Sequence, residues 1–323
     1  MTKAQSLALS LSSTSLLLGL AAVLCNGCAT DGARQQAAYD RKIQHIEQLL
    51  IAAEDADSLA AAAMLSIGPT VNPAQRLSLI ARAVSKSPDR PDLVWLYVRL
   101  CTQVDTCKSE PLEAQLRALD PDNGAAWFDS IGRAGSRNDV VAVRKDLAAI
   151  ATSRRFDMYW NATIVHITNA ILKTHAMDLP TALVATIGMA SATAVPPYQT
   201  IVNACKGDPL QDPDVLRTCQ QVSTVMRGGD TYLTEMVGIA IAKRAWPEDS
   251  PTHVDAINAR RVAHYRMDAD GKLSLHRFLS SDYAAKRLQL MMEKRTEQEV
   301  ILAEILNARW SPNPPSDYSD RSS

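Results

Sequence analysis

Three tryptophans constrain this chain most. Trp95, Trp127 and Trp160 stand 32 and 33 residues apart, and Pro88 and Pro121 stand 33 apart. Residues 87–95 read Ser-Pro-Asp-Arg-Pro-Asp-Leu-Val-Trp, and residues 119–127 read Leu-Asp-Pro-Asp-Asn-Gly-Ala-Ala-Trp. A period of this length marks small units that cannot bury an apolar face alone and do so by stacking on their neighbours.

The stretches between these markers have helical spacing. Ile43, Ile46, Leu49 and Leu50 predict a helix within residues 33–66, closed by Gly68-Pro69. Pro73 opens a second helix at a position where proline fits, and Pro91 precedes a third. Leu112 to Leu119 is a short fourth. Past Trp160, Ile164, Ile167 and Ile171 line one helix, and Pro180 opens another. Further helices are expected over residues 215–226, over 232–246 behind a Thr231 cap, over 251–267 and, as one long element, over 282–310. Alternating Val, Ile, Thr and Tyr, which strands need, is missing. The expected fold class is all-α: helical hairpin repeats over 33–175, a less regular helical region over 176–310, and a Pro- and Ser-rich disordered tail over 311–323.

The junctions resemble those of tetratricopeptide repeats, which have a proline ending one hairpin and an aromatic residue early in the next. Trp95, Pro121, Trp127 and Trp160 occupy those places, while Arg154-Arg155-Phe156-Asp157 stands where a third proline belongs. The resemblance implies an α-solenoid with a concave surface for a protein or peptide partner.

The N-terminus reads as an export signal. Lys3 supplies a positive charge, Leu7 to Leu24 is apolar and uncharged, and small residues follow. Gly27-Cys28-Ala29 resembles the end of a bacterial lipobox, which implies a lipid on Cys28 and an outer-membrane destination. Cys25 and Asn26 depart from that pattern, so ordinary cleavage after Ala29 stays open, as does an uncleaved anchor. The expected location is the bacterial cell envelope, lipid-anchored or free in the periplasm.

Four later cysteines form two sequence-local pairs, Cys101 with Cys107 and Cys205 with Cys219. Proximity favours these two among three connectivities, and an oxidising compartment would preserve them. Neither pair has the CxxC spacing of metal or redox sites.

Local motifs for chemistry are sparse. Residues 267–274 read like part of a calcium loop, but Arg266 and Arg277 stand where carboxylates are needed, so a polar turn is expected. The histidines are scattered, with His166 expected in the core. Arg154-Arg155, Arg260-Arg261 and Lys286-Arg287 read as solvated faces. Sequences for a nucleophile elbow, a P-loop, a dinucleotide fold or a zinc protease are missing, and no metal or cofactor is called for. The net charge of −1 offers no footprint for nucleic acid. Two readings remain: an envelope scaffold that binds a protein partner, and a hydrolase assembled from dispersed residues, marked by a pocket holding a carboxylate pair or a histidine with a carboxylate.

Overall fold

The computed structural model describes residues 34, 36–65, 72–193, 197–275 and 277–319. Cys28 and the whole signal segment lie outside the described residues. The chain divides into two compact units, Met1–Ile46 and Glu47–Ser323. In the first, residues 36–46 are helical. All that follows concerns the second.

Among its described residues the second unit is all-α, without a strand. It opens with α1 (residues 47–53). There follow α2 (Ala56–Leu65), α3 (Pro73–Lys86), α4 (Pro91–Cys101), α5 (Glu110–Leu119), α6 (Phe128–Ser136), α7 (Val140–Thr152), α8 (Trp160–Lys173) and α9 (Leu179–Thr193). The remainder is α10 (Tyr198–Ala204), α11 (Pro213–Arg227), α12 (Tyr232–Ala245), α13 (Pro251–Ser274), α14 (Ser281–Glu293) and α15 (Glu297–Asn307).

Local chemistry sets the ends. Asn72, Asp139, Asp212, Thr231 and Ser250 each accept a backbone N–H of the helix they precede. The helix expected over residues 33–66 is broken at Glu54, whose φ is 60°, because Asp55 caps α2 through Ser58. The long element expected over 282–310 is two helices. Thr296 and Glu299 form a capping box that starts α15 afresh. The polar turn expected at 267–274 is helix instead, since α13 runs on to Ser274.

α4 packs on α5, α6 on α7 and α8 on α9; Trp95 lies within α4, Trp127 just before α6 and Trp160 at the start of α8. Contacts also reach beyond chain neighbours. α8 lies on α2 and α14, and α7 lies on α11. Residue 175 is therefore no break in packing. The C-terminal helices close over the hairpins and add a second side to their core.

The core has an aromatic centre. Phe128 meets Phe156 and Tyr198 edge to face, each at 4.9 Å between ring centroids. Ile131, Ile150 and Leu116 are among the fully buried side chains. Of the tail expected to be disordered, the described residues 311–319 lie along α13. Arg261 donates to the Ser316 carbonyl at 3.2 Å, Arg266 to the Pro312 carbonyl at 3.1 Å and Tyr318 to Asp268 at 2.8 Å.

Candidate functional site

Both cysteine pairs are bonded as the sequence implies. Cys101 and Cys107 have Cα atoms 5.3 Å apart at the end of α4, and Cys205 and Cys219 have theirs 5.6 Å apart. The second bond ties the end of α10 to the middle of α11. Its loop turns at Gly207, whose φ of 64° suits glycine, and continues as a 3₁₀ turn over Asp208–Gln211.

This stapled loop walls a groove of about 390 Å³. Val140, Val143, Arg144 and Leu147 line one side, spaced so that one face of α7 presents them all. Pro209 of the loop and Val215 and Thr218 of α11 line the other, with Thr200 and Ala204 of α10 beside them. The lining is chiefly apolar. Arg144 and Asp212 make an ion pair of 3.0 Å beside it. Val140 is 60% exposed and the adjacent Val141 80% exposed, so apolar surface extends beyond the groove.

Comparison of the chain with family models, curated proteins and solved structures finds no match.

The junction residues do different work from one another. Trp95 is buried in α4. It borders a small cleft with Trp160, Met64 and Met158. Trp127 is half-buried beneath the Arg117 guanidinium, 4.5 Å from its ring centroid. Pro121 is exposed. Its neighbours Asp120 and Asn123 are buried and hold the next junction, residues 153–159. Arg155 donates to both oxygens of Asp120 at 2.6 Å, and the Tyr159 hydroxyl donates to Asp120 Oδ2 at 2.5 Å. Arg154 and Arg155 N–H groups donate to the Asp122 carbonyl, and Gly124 N–H donates to the Arg155 carbonyl. Where a third proline was missing, the chain uses a two-junction hydrogen-bond clasp.

That clasp leads to a carboxylate pair. Asp230 is fully buried and accepts the Trp160 N–H at 2.9 Å, at the start of α8. Burial, then the Asp157 carboxylate, push Asp230 well above the usual range. Asp230 Oδ1 has no hydrogen-bond partner among the described residues. Asp157 accepts the Tyr159 N–H at 2.8 Å and so holds Tyr159 at a φ of 59°. Asp230 is sealed from solvent, so this geometry is architectural.

A histidine–carboxylate contact lies nearby. His166 is half-exposed rather than in the core, because its Nδ1 lies 3.4 Å from Asp57 Oδ2. The His166 hydrogen bond, followed by Arg90, holds the Asp57 carboxyl down at about 2 against the cost of its burial. His166 also lines an open groove of about 400 Å³ with Asp157, Tyr159 and Lys294.

The supposed solvated basic pairs divide. Arg154 is exposed, whereas Arg287 is buried between Asp270 at 2.9 Å and Glu304 at 2.7 Å. Glu304 rises to about 7, through burial first and Asp270 after it. The spacing of Arg287, Glu304 and Asp270 gives no local signal, so sequence reasoning missed this cluster. His276 lies outside the described residues. Among those described, no group of His, Cys, Asp or Glu could hold a metal ion.

Proposed function

We propose that this protein is a non-enzymatic helical scaffold of the bacterial cell envelope, anchored through a lipid on Cys28, that holds a segment of a partner protein in the groove between α7 and α11. The groove carries the reading. It is apolar, open and walled by a disulfide loop, which suits capture of apolar side chains rather than bond-breaking. The helix pairs α4/α5, α6/α7 and α8/α9, each with a tryptophan in or beside its first helix, support the repeat-like reading, although α8 packs on α2. The export signal and two disulfides agree on an oxidising compartment.

A photo-crosslinking residue at Val140, in cells, tests it. One specific protein adduct is expected, lost on Val143→Arg. An adduct pattern unchanged by that substitution would overturn the reading. Mass spectrometry of the mature N-terminus tests the anchor: diacylglyceryl Cys28 supports it, and a free Thr30 removes it.

A second reading, a hydrolase, has one observation in its favour, the Asp57–His166 contact beside a groove. Hydrolysis of envelope material by the wild type and not by His166→Gln would replace the scaffold reading.

A further inference from the structure

Two leucines at the connection between α13 and α14 stand in solvent. Leu275 is 74% exposed and Leu279 85% exposed. Met267 and Gly271 precede Leu275 at four-residue spacing, on one face of α13. Met267 is exposed, and nothing lies within 4 Å of a Cβ placed on Gly271. An open apolar face of α13 therefore leads to the connection.

The connection is held in shape. Leu275 N–H donates to the Gly271 carbonyl at 3.0 Å, Phe278 N–H to the Ser274 carbonyl at 3.0 Å and Ser280 N–H to the Arg277 carbonyl at 2.8 Å. Phe278 is half-buried. Its ring meets Tyr283 edge to face at 6.0 Å between centroids, and the Arg287 guanidinium lies 5.7 Å from it. With Phe278 turned inward, its neighbours Arg277 and Leu279 are exposed. The charge here is of one sign. Residues 271–281 include Lys272 and Arg277 and no Asp or Glu. Asp268 and Asp282 stand outside that stretch. Asp268 accepts the Tyr318 hydroxyl at 2.8 Å, and the exposed Lys286 follows Asp282 by one turn.

We propose that this tip enters an anionic lipid surface, with Leu275 and Leu279 at the acyl boundary and Lys272 and Arg277 on lipid phosphates. Charge complementarity selects that occupant. A bilayer takes in projecting side chains without a shape-matched pocket. A protein partner favours a groove, and residues of this connection line none of the grooves described above. The contact is independent of the α7/α11 groove and of a lipid on Cys28.

The test places an environment-sensitive fluorescent amino acid at Leu279 of the full chain and adds vesicles of equal parts phosphatidylcholine and phosphatidylglycerol. A blue shift is expected, with quenching by lipids whose acyl chains carry bromine. The same fluorophore at Val141, exposed on α7, should show neither, so a chain held on the vesicle by its N-terminal segment alone is told apart. Leu275→Asn should lower the ratio of quenched to unquenched Leu279 fluorophore at least tenfold. Arg277→Glu should lower it roughly thirtyfold, and Arg277→Lys should leave it unchanged. Both positions are exposed, so these variants should melt with the wild type. The proposal is overturned by an unshifted Leu279 signal, by equal quenching at Val141, by equal quenching in phosphatidylcholine alone, or by indifference to both Leu275→Asn and Arg277→Glu. A blue shift that grows with protein concentration in the absence of vesicles would also overturn it and assign the tip to a second copy of the chain. Crosslinking in cells from Leu279 to one protein, with no response to vesicles, would overturn it in favour of a protein partner.

Discussion

Asn123 and Asp157 hold each other by two reciprocal bonds. Asn123 Nδ2 donates to the Asp157 carbonyl at 2.7 Å, and the Asp157 N–H donates to Asn123 Oδ1 at 2.9 Å. The same amide caps the turn at Ala125 and reaches the Tyr159 hydroxyl. One fully buried side chain thus joins the turn before α6 to the segment before α8. Asn123→Ala leaves several buried groups without partners and is expected to cost roughly 2–4 kcal/mol. Asn123→Asp should cost more, because it sets a second carboxylate beside Asp120. Urea unfolding checks both: the midpoint should fall with the slope unchanged.

Glu304 gives the fold a pH dependence with a definite sign. Its carboxyl titrates at about 7 in the folded protein against an ordinary 4.5, chiefly through burial. The folded state therefore holds a proton that the unfolded state releases. The stability this supplies is full below about 4.5 and is lost as pH rises through 7. Asp57 works in the other direction. Its stabilisation is present above its ordinary 3.8 and is lost as pH falls toward 2. Glu304→Gln should flatten the decline in stability between pH 5 and 8 seen in thermal melts. An unchanged slope would show that Glu304 does not carry it.

The Cys205–Cys219 bond should matter to binding as well as to stability. In the loop-entropy model its closed loop contributes about 3 kcal/mol, and the shorter Cys101–Cys107 loop about 2 kcal/mol. Paired Cys205→Ser and Cys219→Ser should lower the melting temperature. They should also abolish crosslinking from Val140, because Pro209 no longer walls the groove. Cys101→Ser with Cys107→Ser should destabilise comparably and leave crosslinking intact. Equal loss of crosslinking in both pairs would mean that global stability, not the groove wall, governs capture.

The two disulfides and most helix starts were legible because each rests on near neighbours in sequence: cysteines a few residues apart, and Pro73, Pro91 and Thr231 at helix openings. What failed was tertiary. Nothing local says that α8 packs on α2, or that Arg287 is buried against Glu304. The break before α15 was readable, since Thr296 and Glu299 form a capping box, but the apolar spacing on both sides masked it. The α7/α11 groove joins residues about seventy positions apart, beyond the reach of any local pattern.

The closeness of α11 and α12 rests on one missing side chain. A Cβ on Gly238 would lie 2.5 Å from the Arg227 backbone nitrogen and 2.9 Å from the Met226 carbonyl carbon. Backbone cannot rotate away as a side chain can, so α12 would have to shift off α11. Gly238→Ala is expected to cost about 1–3 kcal/mol despite the better helix propensity of alanine. Gly188, in α9, supplies the control. Nothing lies within 4 Å of a Cβ placed there. Gly188→Ala should instead stabilise by about 0.5–1 kcal/mol, the propensity gain alone. Opposite shifts of the unfolding midpoint in these two variants would locate the tight contact at Gly238. A gain in both would mean that α11 and α12 are packed more loosely than their backbones are here.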